Sequence, residues 1–200
     1  AAWLNGQGIE TAWLDARDYL RAESCPDTNP YRHYLNATCG FERSPGLIAM
    51  LDSVPAPVLI TQGFIARDSA GDTVLLGRGG SDTSASYLAA LLGAKRCEIW
   101  TDVPGIYSAN PRQVPTARLL KHLDYDEAQE ITSTGAKVLH PRCIPPVRAH
   151  GIELHIRCSQ MPDAVGTVIT SQTEGQGAQG KAISQKSQVT LISMETLGMW

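Results

Sequence analysis

Short apolar runs alternate with stretches of helical periodicity along most of the chain. Residues 9–14 (Ile-Glu-Thr-Ala-Trp-Leu) predict a short strand ending at Asp15. Pro57-Val58-Leu59-Ile60-Thr61 is a compact apolar run of the kind that forms a buried parallel strand. A third run, Thr73 to Gly77, leads into Arg78-Gly79-Gly80-Ser81-Asp82. A helix is expected from about Thr83 to Leu92, capped by Ser81 or Asp82 and stopped by Gly93. Cys97 to Trp100 predicts the next strand, closing on Thr101-Asp102. Asp124 and Glu127 stand at capping-box spacing and open a helix that ends near Gly135. Pro141 suits the first turn of another helix, ended by Gly151, and Ile152 to Ile156 predicts a further strand.

Between these elements the pattern is weaker. Residues 16–45, punctuated by Pro26, Pro30 and Pro45, predict an irregular excursion with one strand at most, and Leu47 to Leu51 a short helix. The loop after Asp102 carries Pro104, Gly105, Pro111 and Pro115. Strand–helix alternation of this kind predicts an α/β fold, a layered sandwich around a largely parallel sheet. Residues 171–182 are Gly-rich and polar at first and predict a linker, so that 1–170 form one domain. Val189 to Met194 then predicts the first strand of a second domain over 183–200. The chain starts without Met and ends on Leu-Gly-Met-Trp, which we take as the expectation of a piece of a longer protein.

Composition narrows the partners. A net charge of −3 argues against a nucleic-acid or anionic-membrane surface, and no apolar run reaches the ~20 residues of a membrane span. The five cysteines (Cys25, Cys39, Cys97, Cys143, Cys158) are odd in number and none are paired as C-x-x-C, so buried thiols in a reducing cytoplasm are expected. The histidines show no ligand pairing at zinc spacing, and no metal-ligating residue is assigned.

Three features carry candidate chemistry. In Gly77-Arg78-Gly79-Gly80-Ser81-Asp82 the glycines let backbone approach a ligand, and the following helix start favours an anion. Arg78 adds a fork for a carboxylate or phosphate, and Asp82 could hold a metal or orient a reacting group. A tight turn with a salt bridge would use the same residues, and the spacing matches neither a P-loop nor a dinucleotide fingerprint. Thr101-Asp102 lies at the end of a strand, where ligands of open α/β sheets bind. Tyr107 could cover a base and Arg112 meet a phosphate, or both could sit on an ordinary solvated loop. Lys137, between a glycine stop and a proline start, is either a phosphate-pairing cation or a surface lysine.

Taken in order, Thr61-Gln-Gly-Phe-Ile65, Gly77-Arg-Gly-Gly-Ser-Asp82, Trp100-Thr-Asp-Val-Pro-Gly-Ile-Tyr107 and Gly135-Ala-Lys-Val-Leu-His-Pro141 closely resemble the aspartate kinases of the amino-acid kinase family. The resemblance covers residues 57–170 strongly and 9–56 loosely, and resumes at 183–200 as the opening of an ACT regulatory domain. Trp13 to Asp18 and the C-terminal end are similar to aspartate kinases fused to diaminopimelate decarboxylase. The resemblance implies the amino-acid kinase fold and transfer of the γ-phosphoryl group of ATP, with Mg²⁺, to the side-chain carboxylate of L-aspartate. The product would be 4-phospho-L-aspartate, at the first step of lysine, threonine and methionine biosynthesis. It further implies an end-product amino-acid effector and homodimers formed through ACT domains.

By the same resemblance Phe64, Arg78, Gly79, Gly80 and Ser81 bind aspartate, with Arg78 and Asp82 at the reacting groups. Thr101, Asp102, Tyr107, Arg112, Lys137 and Val138 would bind the nucleotide. The chain departs from the family by lacking the Lys-Phe/Tyr-Gly-Gly-Thr-Ser strand and the Gly-Glu-x-x-Ser stretch. The 200 residues alone are therefore expected to have little or no kinase activity and to expose apolar sheet edges. The alternatives are another kinase of the same family, or a non-catalytic chain that binds a regulatory amino acid.

Overall fold

The computed structural model describes residues 1–24, 29–135, 138–171, 181–185 and 190. A short helix α1 (Ala2–Gly6) precedes strand β1 (Thr11–Leu14), and a 3-10 turn at Ala16–Asp18 follows it. Helices α2 (Pro30–Leu35) and α3 (Pro45–Asp52) lead to β2 (Val58–Thr61), β3 (Ile65–Arg67) and β4 (Thr73–Leu75). Helix α4 (Gly80–Leu92) connects to β5 (Arg96–Thr101), then β6 (His122–Asp124) and α5 (Tyr125–Thr134). A 3-10 turn at Pro141–Cys143 opens α6 (Ile144–Ala149), and β7 (Glu153–Cys158) and β8 (Thr167–Thr170) follow.

Pairing is largely parallel. β1 runs parallel to β2, β5 to β7 and β6 to β8, while β7–β8 and the β3–β4 hairpin are antiparallel. The larger sheet has the order β5-β7-β8-β6. Its β7 alternates buried Leu154, Ile156 and Cys158 with more exposed neighbours, as expected of a strand whose two faces differ in cover.

The predicted pattern needs four corrections. Residues 16–45 are irregular, as expected, but hold the unexpected helix α2, with isolated bridges (Arg21 with Arg67, Ala22 with Cys39). β2 is parallel as expected but only half-buried, because among the described residues it pairs with β1 alone. Helix α4 starts at Gly80, three residues early, and neither Ser81 nor Asp82 caps it; Gly79 does, in the left-handed region at φ 68°. Strands β6 and β8 were not expected. The linker from 172 to 180 and, except for Thr190, the strand expected at 189–194 lie outside the described residues.

Two apolar cores lie side by side. Leu123, Ile144, Val147, Leu154, Ile156 and Ile169 fill one, and Ala16, Leu20, Ala66, Val74 and Leu76 the other. Helix α4 belongs to both: Ala89 and Ala90 enter the first, Tyr87 and Leu91 the second. Phe41 also packs against both, stacked on Tyr87 with centroids 6.0 Å apart and edge-on to His150 at 6.4 Å. This shared helix carries at its N-terminus the glycine-rich turn.

The capping box of α5 forms as the sequence implied. Asp124 accepts from the Glu127 amide at 2.7 Å, and Glu127 accepts from the Asp124 amide at 3.0 Å. Cys39, Cys97, Cys143 and Cys158 are buried and free, as expected of thiols used as small hydrophobes, and Cys25 lies outside the described residues. Burial pushes the thiols of Cys39 and Cys97 up to about 12, which keeps them protonated and unreactive. No helix among the described residues is long and apolar enough to cross a membrane.

Candidate active site

The turn from Gly77 to Asp82 is gripped from three sides. Gly77 has φ 72°, and a Cβ there would stand 2.1 Å from Asn36 Oδ1. Gly79 has φ 68°, and its Cβ would stand 2.2 Å from the Cβ of His140. At Gly80 a Cβ would meet the Phe64 ring at 2.4 Å. Glycine is thus required at each position by close approach, and at 77 and 79 also by backbone angle. Gly79 accepts from both the Thr83 amide and hydroxyl at 2.9 Å, which sets the first turn of α4.

Phe64 is itself in the left-handed region, at φ 78°, a conformation few bulky residues adopt. Its amide donates to Ser84 Oγ at 3.2 Å, and its carbonyl accepts from the Leu76 amide at 2.9 Å. These bonds hold the strained residue between β2 and the glycine turn.

Arg78 is exposed and has no ion-pair partner among the described residues. Ser81 is exposed beside it. A guanidinium at the head of a 13-residue helix, free of any carboxylate, is an electrostatic invitation to an anion. Asp82 faces inward instead. Burial pushes its carboxyl above the ordinary value, and the backbone amide and charge of His140 pull it partly back. His140 moves the other way: burial, then Arg142, hold its imidazole below the usual range, with Asp82 opposing.

The residues expected on the nucleotide side fall on a separate loop. Thr101 ends β5, and its hydroxyl donates to Asp102 at 3.1 Å. Tyr107 bridges to Leu119, while Arg112 is exposed with its amide bonded to Asn110 Oδ1 at 3.1 Å. No hydrogen bond or ion pair among the described residues joins Tyr107 or Arg112 to the glycine turn. The loop is anchored by Thr167, whose buried hydroxyl accepts from the Ile106 amide at 2.9 Å and donates to Leu120 O at 2.7 Å. Lys137 lies outside the described residues. Val138 is half-buried and packs against the core beneath the loop's sheet. It begins the Val138–His140 segment that reaches the glycine turn.

Sequence reasoning missed several residues around this site. Arg142 forks onto Asn36 Oδ1, Leu76 O and Ala37 O. Asp15 is tied to Gln62 Nε2 at 2.8 Å, and Gln62 Oε1 accepts from the Ala16 amide at 3.3 Å. Arg17, hydrogen-bonded to the Asp15 carboxylate, holds it well below the usual carboxylate range. Tyr19 and Thr61 join hydroxyls next to this pair. Apart from the Arg17–Asp15 pair, two positions apart, each partnership spans more than forty positions, so no local motif announces it.

Comparison with known proteins places this geometry in context. A model of the amino acid kinase family matches residues 1–158. The bifunctional aspartokinase/homoserine dehydrogenase 2 of Escherichia coli is 42% identical over 98% of this chain. Lysine-sensitive aspartokinase 3 of the same organism is 34% identical over 98%. The chain spans only 23% and 42% of the length of these two relatives. The crystal structure of E. coli aspartokinase III in complex with aspartate and ADP superposes with a TM-score of 0.72 at 35% identity. That match covers 86% of this chain and 37% of the other. By its name the first of these relatives joins its aspartokinase to a homoserine dehydrogenase.

Proposed function

The chain belongs to the amino acid kinase family, and from that premise we propose that it is part of an aspartate kinase, transferring the γ-phosphoryl group of ATP to the side-chain carboxylate of L-aspartate. The observation that carries this reading is the likeness to an aspartokinase whose structure holds aspartate and ADP. The free Arg78 at the head of α4 supports it, since a carboxylate substrate needs such a partner.

In this reading Arg78 clamps a carboxylate of aspartate, with the Gly79-Gly80-Ser81 turn and Phe64 beside it fixing its pose. A side-chain oxygen of aspartate attacks the γ-phosphorus; its O–P bond forms as the bond to the leaving ADP oxygen breaks. The carboxylate is already a nucleophile, so no general base is required. Positioning and charge stabilisation do the work. Asp82 stands beside the reacting groups as an orienting carboxylate. Thr101, Asp102, Tyr107, Arg112, Lys137 and Val138 form the nucleotide side. Mg²⁺ would enter with ATP, and no residue of this chain is assigned as its ligand. When bound, Mg²⁺ supplies neutralisation of phosphate charge.

The same reading assigns residues 1–170 to the catalytic domain and 171–182 to a linker. Residues 183–200 open an ACT domain that binds an end-product amino acid and forms the homodimer, in a cytoplasmic enzyme. A further T-state structure of aspartokinase III holds lysine as well as aspartate, which favours an amino-acid effector here. On this reading the 200 residues, without a Lys-Phe/Tyr-Gly-Gly-Thr-Ser motif, should by themselves form little or no acyl phosphate.

The test is aspartate-dependent acyl phosphate formation, trapped with hydroxylamine, by the full-length parent protein with Mg-ATP. Product is expected with aspartate and not with glutamate, and Arg78→Ala should lower kcat/KM for aspartate by about 10²-fold or more. A folded wild-type protein that yields no product with aspartate overturns the proposal.

A further inference from the structure

Arg142 plays no part in the reading above, yet it makes the densest set of long-range contacts around the site. Its Nη1 donates to Asn36 Oδ1 and Leu76 O, each at 2.6 Å, and its Nη2 to Ala37 O at 2.7 Å. Leu76 is the residue immediately before the glycine turn. Asn36 is the side chain that closes on Gly77. Ala37 is itself bonded to β4, its amide donating to Leu75 O at 2.8 Å. One guanidinium thus fixes both the strand that delivers the turn and the wall against which the turn's first glycine rests.

Two residues earlier, His140 presses on Gly79. Its Nδ1 accepts from the Arg142 amide at 3.3 Å, and its carbonyl accepts from Cys143 Sγ at 2.6 Å. The His140–Arg142 stretch therefore holds both ends of the turn: Arg142 through Leu76 and Asn36, His140 against Gly79. Arg78 lies between these two grips, exposed and unpaired.

We propose that Arg142 is a positioning residue for substrate: it never touches aspartate, but it holds the Gly77–Ser81 turn so that Arg78 meets the substrate carboxylate. Planarity is the reason an arginine stands here. Three acceptors lie around one guanidinium, and an ammonium on a flexible stem cannot serve all three in fixed directions. Losing the fork frees Leu76 O and Asn36, and the turn drifts relative to Phe64 and His140. A displacement of about 1 Å at an aligned site costs about 10²-fold in rate.

This inference rests on the proposed aspartate kinase activity, and the experiment separates the two. In the full-length protein, Arg142→Lys and Asn36→Ala are compared with wild type for kcat, KM of aspartate and KM of ATP, alongside melting temperature. Arg142→Lys keeps charge and stem, and Asn36 is exposed, so the second variant reports even where the first fails to fold. The expected result is a KM for aspartate raised about tenfold or more in Arg142→Lys and by a smaller factor in Asn36→Ala, with the KM of ATP unchanged. A purely structural role would lower melting temperature and active fraction without moving the KM of aspartate. Unchanged aspartate KM in folded variants of an active enzyme overturns this inference alone. A wild-type enzyme without aspartate turnover takes down the functional proposal and this inference with it.

Discussion

Asp82 and Asp15 are shifted in opposite directions by their surroundings. Burial raises Asp82 above the ordinary 3.8, so the native state holds its proton where the unfolded chain has released it. Stability from that group is full below 3.8 and falls as pH climbs through the raised value. Asp15, held down by hydrogen bonds from Arg17, contributes stability that is present above 3.8 and lost as pH drops below it. Urea midpoints measured across pH 3 to 7 should show both. Asp82→Asn should lessen the decline on the rising side, and Asp15→Asn should flatten the acid limb. A pair of variants with pH profiles parallel to wild type would refute these assignments. The glycine turn was legible because glycines between a strand and a helix have few local explanations. The helix cap was not: Ser81 and Asp82 look like caps, but the close approach of His140 and Phe64 pulls the helix start back to residues without side chains. Arg142 was illegible for a different reason, since its partners Asn36 and Ala37 lie over a hundred positions away.

At the scale of elements, the loop after β5 depends on a strand the sequence did not reveal. β8 is four residues long, too short for alternation to separate it from a turn, and β6 has only three. Yet β8 supplies Thr167, whose hydroxyl serves one donor and one acceptor of the loop. Thr167→Val keeps the shape and removes both bonds, leaving the buried Ile106 amide and the part-buried Leu120 carbonyl without this partner. The expected loss is about 1–3 kcal/mol, read from denaturant midpoints, with Thr167→Ser retaining most of wild-type stability. A Val variant as stable as wild type would show that water replaces the hydroxyl. The capping box of α5 is the converse case, an element whose start is written in four adjacent residues and forms as written.

For the whole molecule, strand–helix alternation was enough to predict an α/β fold with mostly parallel pairing. It could not show that the β1–β2 pair stands apart from the larger sheet among the described residues. That pair leaves Trp13 58% exposed, with Trp3 at 74% and Ile9 at 44% nearby in sequence. Apolar side chains beside unpaired strand edges favour association. The 200-residue chain by itself should therefore elute above monomer size in gel filtration, increasingly so with concentration, and Trp13→Lys should shift it toward monomer. A concentration-independent monomer would argue that this edge is harmless.

Helix α4 and Phe41 belong to two cores at once, and that sharing limits how the chain can be divided. A cut before residue 80 strips the larger sheet of Phe41. A cut after residue 92 leaves Ala89 and Ala90 facing solvent on the other piece. Cuts within the helix sever the cores from both sides. Because α4 carries the glycine turn and packs into both cores, the turn and the sheet that supports its neighbour loop should melt together. Transplanting the glycine turn into another scaffold would require carrying both cores with it.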